Sequence, residues 1–119
     1  RDLPLRGVDA PVYVAGQLSG TEGYCEAIAS GLMCALFVYA QLQGMQAPLL
    51  PVETAFGALL DYVTDPATQD YQPMHVNFGI LKPLDQHIRN KGMRYAAYAE
   101  RGSRAMEGYV ADIRAKGLL

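Results

Sequence analysis

Apolar residues run without a break through Val12-Tyr13-Val14-Ala15, give way to a turn bearing Gly16, Gly20 and Gly23, and resume at Cys25 as a long apolar stretch. The continuous run predicts a short buried strand over 12–15, and the turn leads into a first helix starting near Thr21 or Glu22. Thr21 is of capping type, and Glu22 places a negative charge in the first turn. Tyr24, Ala27, Ile28, Gly31, Leu32, Ala35, Leu36 and Tyr39 then recur with the helical period of 3.6. The other face, Ala29, Met33, Phe37 and Ala40, is apolar too, so burial on most sides is expected. Gly31, with Ala27 and Ala35, leaves room for another backbone or a ligand to approach. Gly44 stands where a helix C-cap belongs, and Pro48 and Pro51 hold the following link extended.

A second helix is predicted from Glu53 or Thr54 to Thr64, with Phe56, Leu59, Leu60 and Val63 on one side and Asp65-Pro66 as its stop. Residues 67–83 show no helical period. Yet Tyr71-Gln72-Pro73-Met74-His75-Val76-Asn77-Phe78-Gly79-Ile80-Leu81 is too rich in aromatic and aliphatic side chains for a loop left in water, so an ordered, extended segment is expected. From Leu84 to Lys116 a helical stripe is formed by Leu84, Ile88, Tyr95, Ala99, Met106, Val110 and Ile113. Arg94, Arg101 and Arg104 cluster on another side of it, with Lys91 and Tyr98 at the margin. Gly92, Gly102 and Gly108 each weaken helix propensity by about 1 kcal/mol relative to Ala, which allows a break near Gly102.

The pattern is mainly α, with one or two short strands and three to four helices; residues 4–11 read as a loop. A lone strand cannot satisfy its own backbone. With an opening Arg1-Asp2-Leu3-Pro4 and no methionine, the chain is expected to be the C-terminal part of a longer protein or to be completed elsewhere. The apolar run 27–40 is too short and too rich in small residues for a membrane span, and no signal-type leader opens the chain, so a cytoplasmic location without a membrane partner is expected.

Charge is segregated along the chain. Residues 1–81 carry two basic side chains, Arg1 and Arg6, against eight acidic ones, whereas residues 82–119 carry eight basic ones against four acidic. A basic tail of this kind is a candidate reader of an anionic surface, and equally a solvated face. Cys25 and Cys34, nine positions apart on one helix, fall on opposite faces at about 100° per residue. They are read as small buried apolar residues, neither paired nor metal-spaced.

No Ser-His-Asp order, Cys-x-x-Cys, His-x-x-x-His or phosphate loop ending in Gly-Lys-Ser/Thr occurs, and no metal is expected. His75 and His87 sit in different predicted elements and read as ordinary histidines. Two places carry physical content. At the opening turn, the N–H groups of Thr21, Glu22 and Gly23 and the positive end of a helix could stabilise electron density on a flavin, with Tyr24 beside a planar ligand; spacing alone equally allows an ordinary strand-to-helix connection. The basic face of the last helix, with Tyr98 alongside, combines phosphate neutralisation with a stacking surface and so suits RNA.

Val14-Ala15-Gly16-Gln17-Leu18-Ser19-Gly20-Thr21-Glu22-Gly23-Tyr24, followed by Glu26-Ala27 and Ser30-Gly31-Leu32, resembles the C-terminal flavin-binding motif of the GidA-type flavoproteins that modify tRNA. Two branches share it, the wobble-uridine carboxymethylaminomethyl enzymes and the folate- and FAD-dependent tRNA (uracil-5-)-methyltransferases. Thr54-Ala55-Phe56-Gly57-Ala58-Leu59-Leu60 with Tyr62, then Gln72-Pro73-Met74-His75-Val76-Asn77-Phe78-Gly79, and the closing Arg94-Tyr95-x-x-Tyr98-Ala99-x-Arg101 resemble the methyltransferase branch. His75 stands where that pattern has Asn, and Lys82 where it more often has Pro; both bear on the geometry of the loop.

The resemblance implies the C-terminal part of a larger Rossmann-type α/β flavoprotein. Residues 1–47 would be the last strand and helix of the FAD-binding domain, and 48–119 a C-terminal helical segment with its ordered loop at 67–83. The activity implied is methylation of C5 of the T-loop uridine of tRNA, with methylenetetrahydrofolate as carbon donor and FAD reduced by NAD(P)H. Gly16, Gln17, Gly20, Thr21, Glu22, Gly23 and Tyr24 would complete the FAD site; Tyr24, Asn77 and Phe78 would shape the folate pocket; Lys91, Arg94, Tyr98, Arg101 and Arg104 would meet tRNA. The family's catalytic cysteines lie upstream, Cys25 and Cys34 do not match them, and the chain alone is expected to be inactive without the missing N-terminal portion. The sister wobble-uridine branch, or a non-catalytic helical RNA-binding module, are the alternatives.

Overall fold

The computed structural model describes residues 7, 9 and 12–119. They are built on three helices, α1 (Tyr24–Leu42), α2 (Ala55–Thr64) and α3 (Lys91–Ala115), preceded by a single 3-10 turn, Gly16–Ser19. The expected mainly helical class holds. The expected strand over 12–15 does not: no strand occurs among the described residues, and the apolar run is extended chain whose Tyr13 and Ala15 lie against the core. The predicted loop 4–11 lies largely outside the described residues.

α2 starts one residue from its prediction, because Thr54 is the N-cap: its Oγ1 accepts from Gly57 N at 3.0 Å and donates to Pro51 O at 2.7 Å. α1 starts later than predicted. Thr21 is fully buried and its hydroxyl donates to Gly16 O at 2.8 Å, so it does not cap; Gly23 occupies the N-cap position without a side-chain bond. α3 also starts later, at Lys91. Leu84 and Ile88 fit the helical stripe by spacing alone, but Asn90 is the cap, its Oδ1 accepting from Met93 N at 3.0 Å. No break occurs at Gly102, where α3 passes the chain just before α2 and an added Cβ would lie 3.4 Å from Glu53 O.

The buried side of α1 is Ser30, Met33, Cys34, Phe37 and Ala40. Met33, Cys34 and Phe37 join Leu60 of α2 in one cluster, with Leu36, Phe56 and Tyr109 packed against it. The stripe Tyr24, Ile28, Leu32 and Tyr39 faces outward, so the helix is covered on one side and not on most. Cys34 is buried as expected, and burial pushes its thiol pKa up; Cys25 is exposed, contrary to expectation.

A second cluster, Ala40, Ile113 and Leu118 with Met45, arises from two helix ends of the same design. After α1, Gly44 (φ +69°) turns the chain so that Met45 N donates to Ala40 O and Gly44 N to Gln41 O. After α3, Gly117 (φ +70°) does the same, with Leu118 N to Ile113 O and Gly117 N to Arg114 O. The apolar residue after each glycine folds back on its own last turn, and the two ends pack together. Tyr109 links the clusters, its hydroxyl donating to Pro48 O at 2.8 Å.

At 19 residues, α1 is long and apolar enough by length and composition to cross a membrane, which corrects the shorter run expected. Only one of its faces packs into the core of this fold, with 28% of its apolar stretch buried.

Candidate functional site

The glycine turn is held from beneath by buried hydroxyls. Gly16 N donates to Ser30 Oγ at 2.7 Å, Ser30 Oγ donates to Ala27 O at 2.8 Å, and the hydroxyls of Ser19 and Thr21 both donate to Gly16 O. Gly16, Gly20 and Gly23 have φ of +68°, +83° and +98°, a region that favours glycine. Gln17, Glu22 and Tyr24 point to solvent, Tyr24 being 90% exposed. Thr21 is thus a strut of the turn with no free face. Ser30, its counterpart in the helix, was visible in the sequence only as part of the quoted motif.

The 71–78 segment closes over this turn. Met74 N donates to Gly20 O and Glu22 N to Met74 O, both at 2.9 Å, making a parallel bridge between Thr21 and Met74. Tyr71 Oη donates to Ser19 O at 2.9 Å, and Val76 N donates to Glu26 Oε1 at 3.1 Å. Tyr71 also stacks on Tyr62, centroids 5.8 Å apart; partial burial, then the neighbouring Tyr62, pushes its phenol pKa up. The N–H of Glu22 is therefore taken by a carbonyl, which removes it from the set expected to face a flavin. Glu26 was not singled out beforehand. Its carboxylate folds back over Gly23, where a Cβ would lie 2.2 Å from Oε2, at the positive end of α1.

Further along the segment, Asn77 Oδ1 accepts from Gly79 N at 2.8 Å, a turn that presents Phe78. Phe78 stacks on Tyr95 with centroids 4.1 Å apart and planes 9° apart, and Tyr98 tilts against it at 5.6 Å. These rings, with Phe56, Leu81 and Met106, line a cavity of about 710 Å³ between α2, the segment and α3, with Glu53, Thr54 and Asn77 as its polar margin. That volume is in the range that takes a small organic ligand.

The basic face does not look outward as a whole. Arg94 Nη1 donates to Ile88 O at 3.2 Å; Arg101 donates from Nη1 to Pro83 O at 2.9 Å and from Nη2 to Lys82 O at 2.8 Å, its guanidinium 5.1 Å over Tyr98. These two arginines staple the 82–88 connection to α3. Lys91 lies 5.5 Å over the Tyr95 ring, and exposed Arg104 pairs with Glu100. His75 and His87 are exposed, and no group of metal-ligating side chains occurs among the described residues.

Flavin chemistry has one specific requirement of the turn. No Lys or Arg occurs between residues 7 and 81, the Glu22 N–H is taken by Met74 O, and the Glu26 carboxylate already sits at the positive helix end, so the turn itself is unfavourable to a pyrophosphate. The residues present fit the uncharged ring end of such a cofactor and not its phosphates.

The family described as GIDA, glucose inhibited division protein A, matches residues 5–46. Proteins named methylenetetrahydrofolate-tRNA-(uracil-5-)-methyltransferase TrmFO are similar to this chain over most of its length. That of Thermotoga neapolitana is 43% identical over 99 residues, 83% of this chain and 23% of the relative. That of Syntrophomonas wolfei is 43% identical over 96 residues, 80% of this chain and 22% of the relative, and that of Bacillus pumilus 43% identical over 90 residues, 76% and 21%. The chain thus spans under a quarter of the length of the curated relatives it matches. No solved structure matches.

Proposed function

We propose, from the premise that the chain belongs with the GidA-related tRNA (uracil-5-)-methyltransferases, that it is the C-terminal portion of an enzyme making 5-methyluridine in the T-loop of tRNA. Methylenetetrahydrofolate would supply the carbon, and FAD reduced by NAD(P)H the electrons, in a cytoplasmic protein without a metal. One observation carries this reading. The two sequence blocks that bear the family likeness, 14–32 and 72–79, are fifty residues apart, yet they meet through the Gly20–Met74–Glu22 bonds and the Glu26–Val76 bond. A shared motif that merely survived in a different fold has no reason to bring them together.

In this reading residues 1–47 belong to the FAD-binding domain of a larger Rossmann-type protein, and 48–119 form the helical segment closing it. Gly16, Gln17, Gly23 and Tyr24 border the ring end of FAD, with buried Gly20, Thr21 and Ser30 holding their backbone from beneath and Glu22 at the edge. The bound flavin supplies the redox chemistry. Tyr24, Asn77 and Phe78 shape the folate side. Exposed Lys91, over the Tyr95 ring, and exposed Arg104, which would exchange its Glu100 partner, would meet tRNA phosphates on the side of α3 that also carries Tyr98, while Arg94 and Arg101 fix the backbone from which that surface is built. No catalytic nucleophile is assigned to this chain.

The test is transfer of label from the one-carbon unit of methylenetetrahydrofolate to tRNA. The Thermotoga neapolitana relative, with its matched segment replaced by residues 1–119, is expected to transfer it, whereas the 119-residue chain alone is expected to be colourless and inactive. An active, stoichiometrically yellow preparation of the chain alone would refute the partial-protein reading. A folded, flavin-loaded chimera that transfers no label would refute the methyltransferase reading in favour of the wobble-uridine branch.

A further inference from the structure

Around α1 at 100° per residue, the buried residues Ser30, Met33, Cys34, Phe37 and Ala40 centre on one direction. Tyr24, Ile28, Leu32, Tyr39 and Leu42 centre on the opposite one. On that outer face Tyr24 is 90% exposed, Ile28 74%, Leu32 60% and Leu42 78%, and no charged side chain falls within the stripe. Gly31 lies beside them with nothing within 4 Å of where its Cβ would be, so the helix backbone is open to close approach there. A helix apolar on two opposite sides is covered on both in a folded protein.

The occupant follows from three facts. The GIDA match, residues 5–46, takes in the whole of α1, so the outer stripe belongs to the part of the chain shared with that family. The relatives are more than four times as long as the matched segment, so most of their polypeptide is available to cover it. The stripe starts at Tyr24, next to the glycine turn, so whatever packs on it also reaches the exposed side of that turn. We infer that the outer face of α1 is the seat of the flavoprotein portion that makes up the rest of the relatives' length, docked as an apolar surface against Tyr24, Ile28, Leu32, Tyr39 and Leu42 with close approach at Gly31. This rests on the family reading above and adds to it where the two portions meet and through which side chains.

Cysteine accessibility tests it. Leu32→Cys is placed in a Cys25→Ser background, Cys34 being buried, and maleimide labelling of the introduced thiol is compared between the 119-residue chain and the Thermotoga neapolitana chimera carrying it. Labelling is expected to be fast in the isolated chain and slower on the order of tenfold in the chimera. Adding Gly31→Leu, which meets no atom in the chain itself, is expected to leave the chain's circular dichroism unchanged and to restore labelling in the chimera. Equal labelling in both overturns the inference, as does a chimera that does not fold. Protection already present in the isolated chain, with a dimer mass by light scattering, assigns the face to a second copy. Protection that appears only with phosphatidylcholine–phosphatidylglycerol vesicles assigns it to a membrane. Either result overturns the inference. A chimera in which the introduced thiol is protected but no label reaches tRNA would sink the enzymatic reading alone, and transfer with that thiol still reactive would sink this one alone.

Discussion

Replacing Gly20 by alanine strikes the contact that joins the glycine turn to the 71–78 segment. Gly20 is buried at φ +83°, and a Cβ there would lie 1.6 Å from Tyr71 Oη and 2.6 Å from Cζ. Two effects add. The left-handed conformation costs an L-residue about 1–2 kcal/mol. The tyrosine must also swing away and give up its bond to Ser19 O, worth about 0.5–1.5 kcal/mol and here toward the low end, because Tyr71 is 40% exposed. The sum is about 2 kcal/mol, and the tyrosine moves because it is the mobile end of a side chain while Gly20 is held by Met74 and Gln17. Urea unfolding followed by far-ultraviolet circular dichroism measures it. In the Tyr71→Ala background the clash and the bond are both absent, so Gly20→Ala is expected to cost only the conformational part, leaving the two substitutions non-additive by about 0.5 kcal/mol or more. Strict additivity of Gly20→Ala and Tyr71→Ala would refute the claim that the tyrosine covers this glycine.

Gly57→Ala is expected to destabilise far more, by about 3 kcal/mol or above, since its Cβ would lie 2.0 Å from the backbone oxygen of Pro51, which cannot step aside; Gly31→Ala, in an open helical position, is expected to raise the melting temperature through a gain of about 0.5–1 kcal/mol. Glu26→Gln keeps an acceptor for Val76 N and is expected to leave amide exchange in 74–78 nearly unchanged, whereas Glu26→Ala is expected to speed exchange at Val76; equal exchange in both variants would remove the tether. Tyr109 has its phenol pKa raised above the ordinary 10.0 by burial first and by Asp112 second, so its contribution is fully present below that pH and is lost as pH rises through the folded value. The unfolding midpoint is therefore expected to fall above about pH 10, and Tyr109→Phe to flatten that fall.

What the sequence made legible was whatever is decided within a few residues. The start of α2 beside Thr54, Asp65-Pro66 as its stop and Gly44 as a terminator are all decided by neighbours within five positions, and all stand as read. Errors came where a residue of the right local type was claimed by a distant partner. Thr21 has the chemistry of a cap, but Gly16 O takes its hydroxyl; Arg94 and Arg101 have the charge of a phosphate reader, but carbonyls of Lys82, Pro83 and Ile88 take their guanidiniums. Leu84 and Ile88 fell on the α3 stripe by spacing, while Asn90, a good cap in plain view, marked the true start. The cavity beside Phe78 was legible only as a cluster of aromatic residues, because its walls come from α2, the 76–81 stretch and α3.

Both faces of α1 read as apolar and were expected to be covered; the fold covers the one bearing Met33, Phe37 and Ala40 and leaves the Tyr24, Ile28, Leu32 and Tyr39 stripe open, and the reason is physical. Tyr24, Ile28, Leu32 and Tyr39 are as apolar as the buried side, which mixes Met33 and Phe37 with the small Ser30, Cys34 and Ala40, so the pattern alone gives no reason to leave them out. Burial follows shape as well as hydrophobicity: α2 and the end of α3 fit against the smaller side, where Cys34, Ala40 and Ser30 let Leu60, Leu118 and the glycine turn come close. A strongly apolar face left outward costs solubility and confers nothing on a helix already anchored by its other side. Such a face persists in a sequence when something covers it. The open half of a helix expected to be covered on most sides is thus the mark of a second interface, and Leu32 is the residue at which its presence is measured.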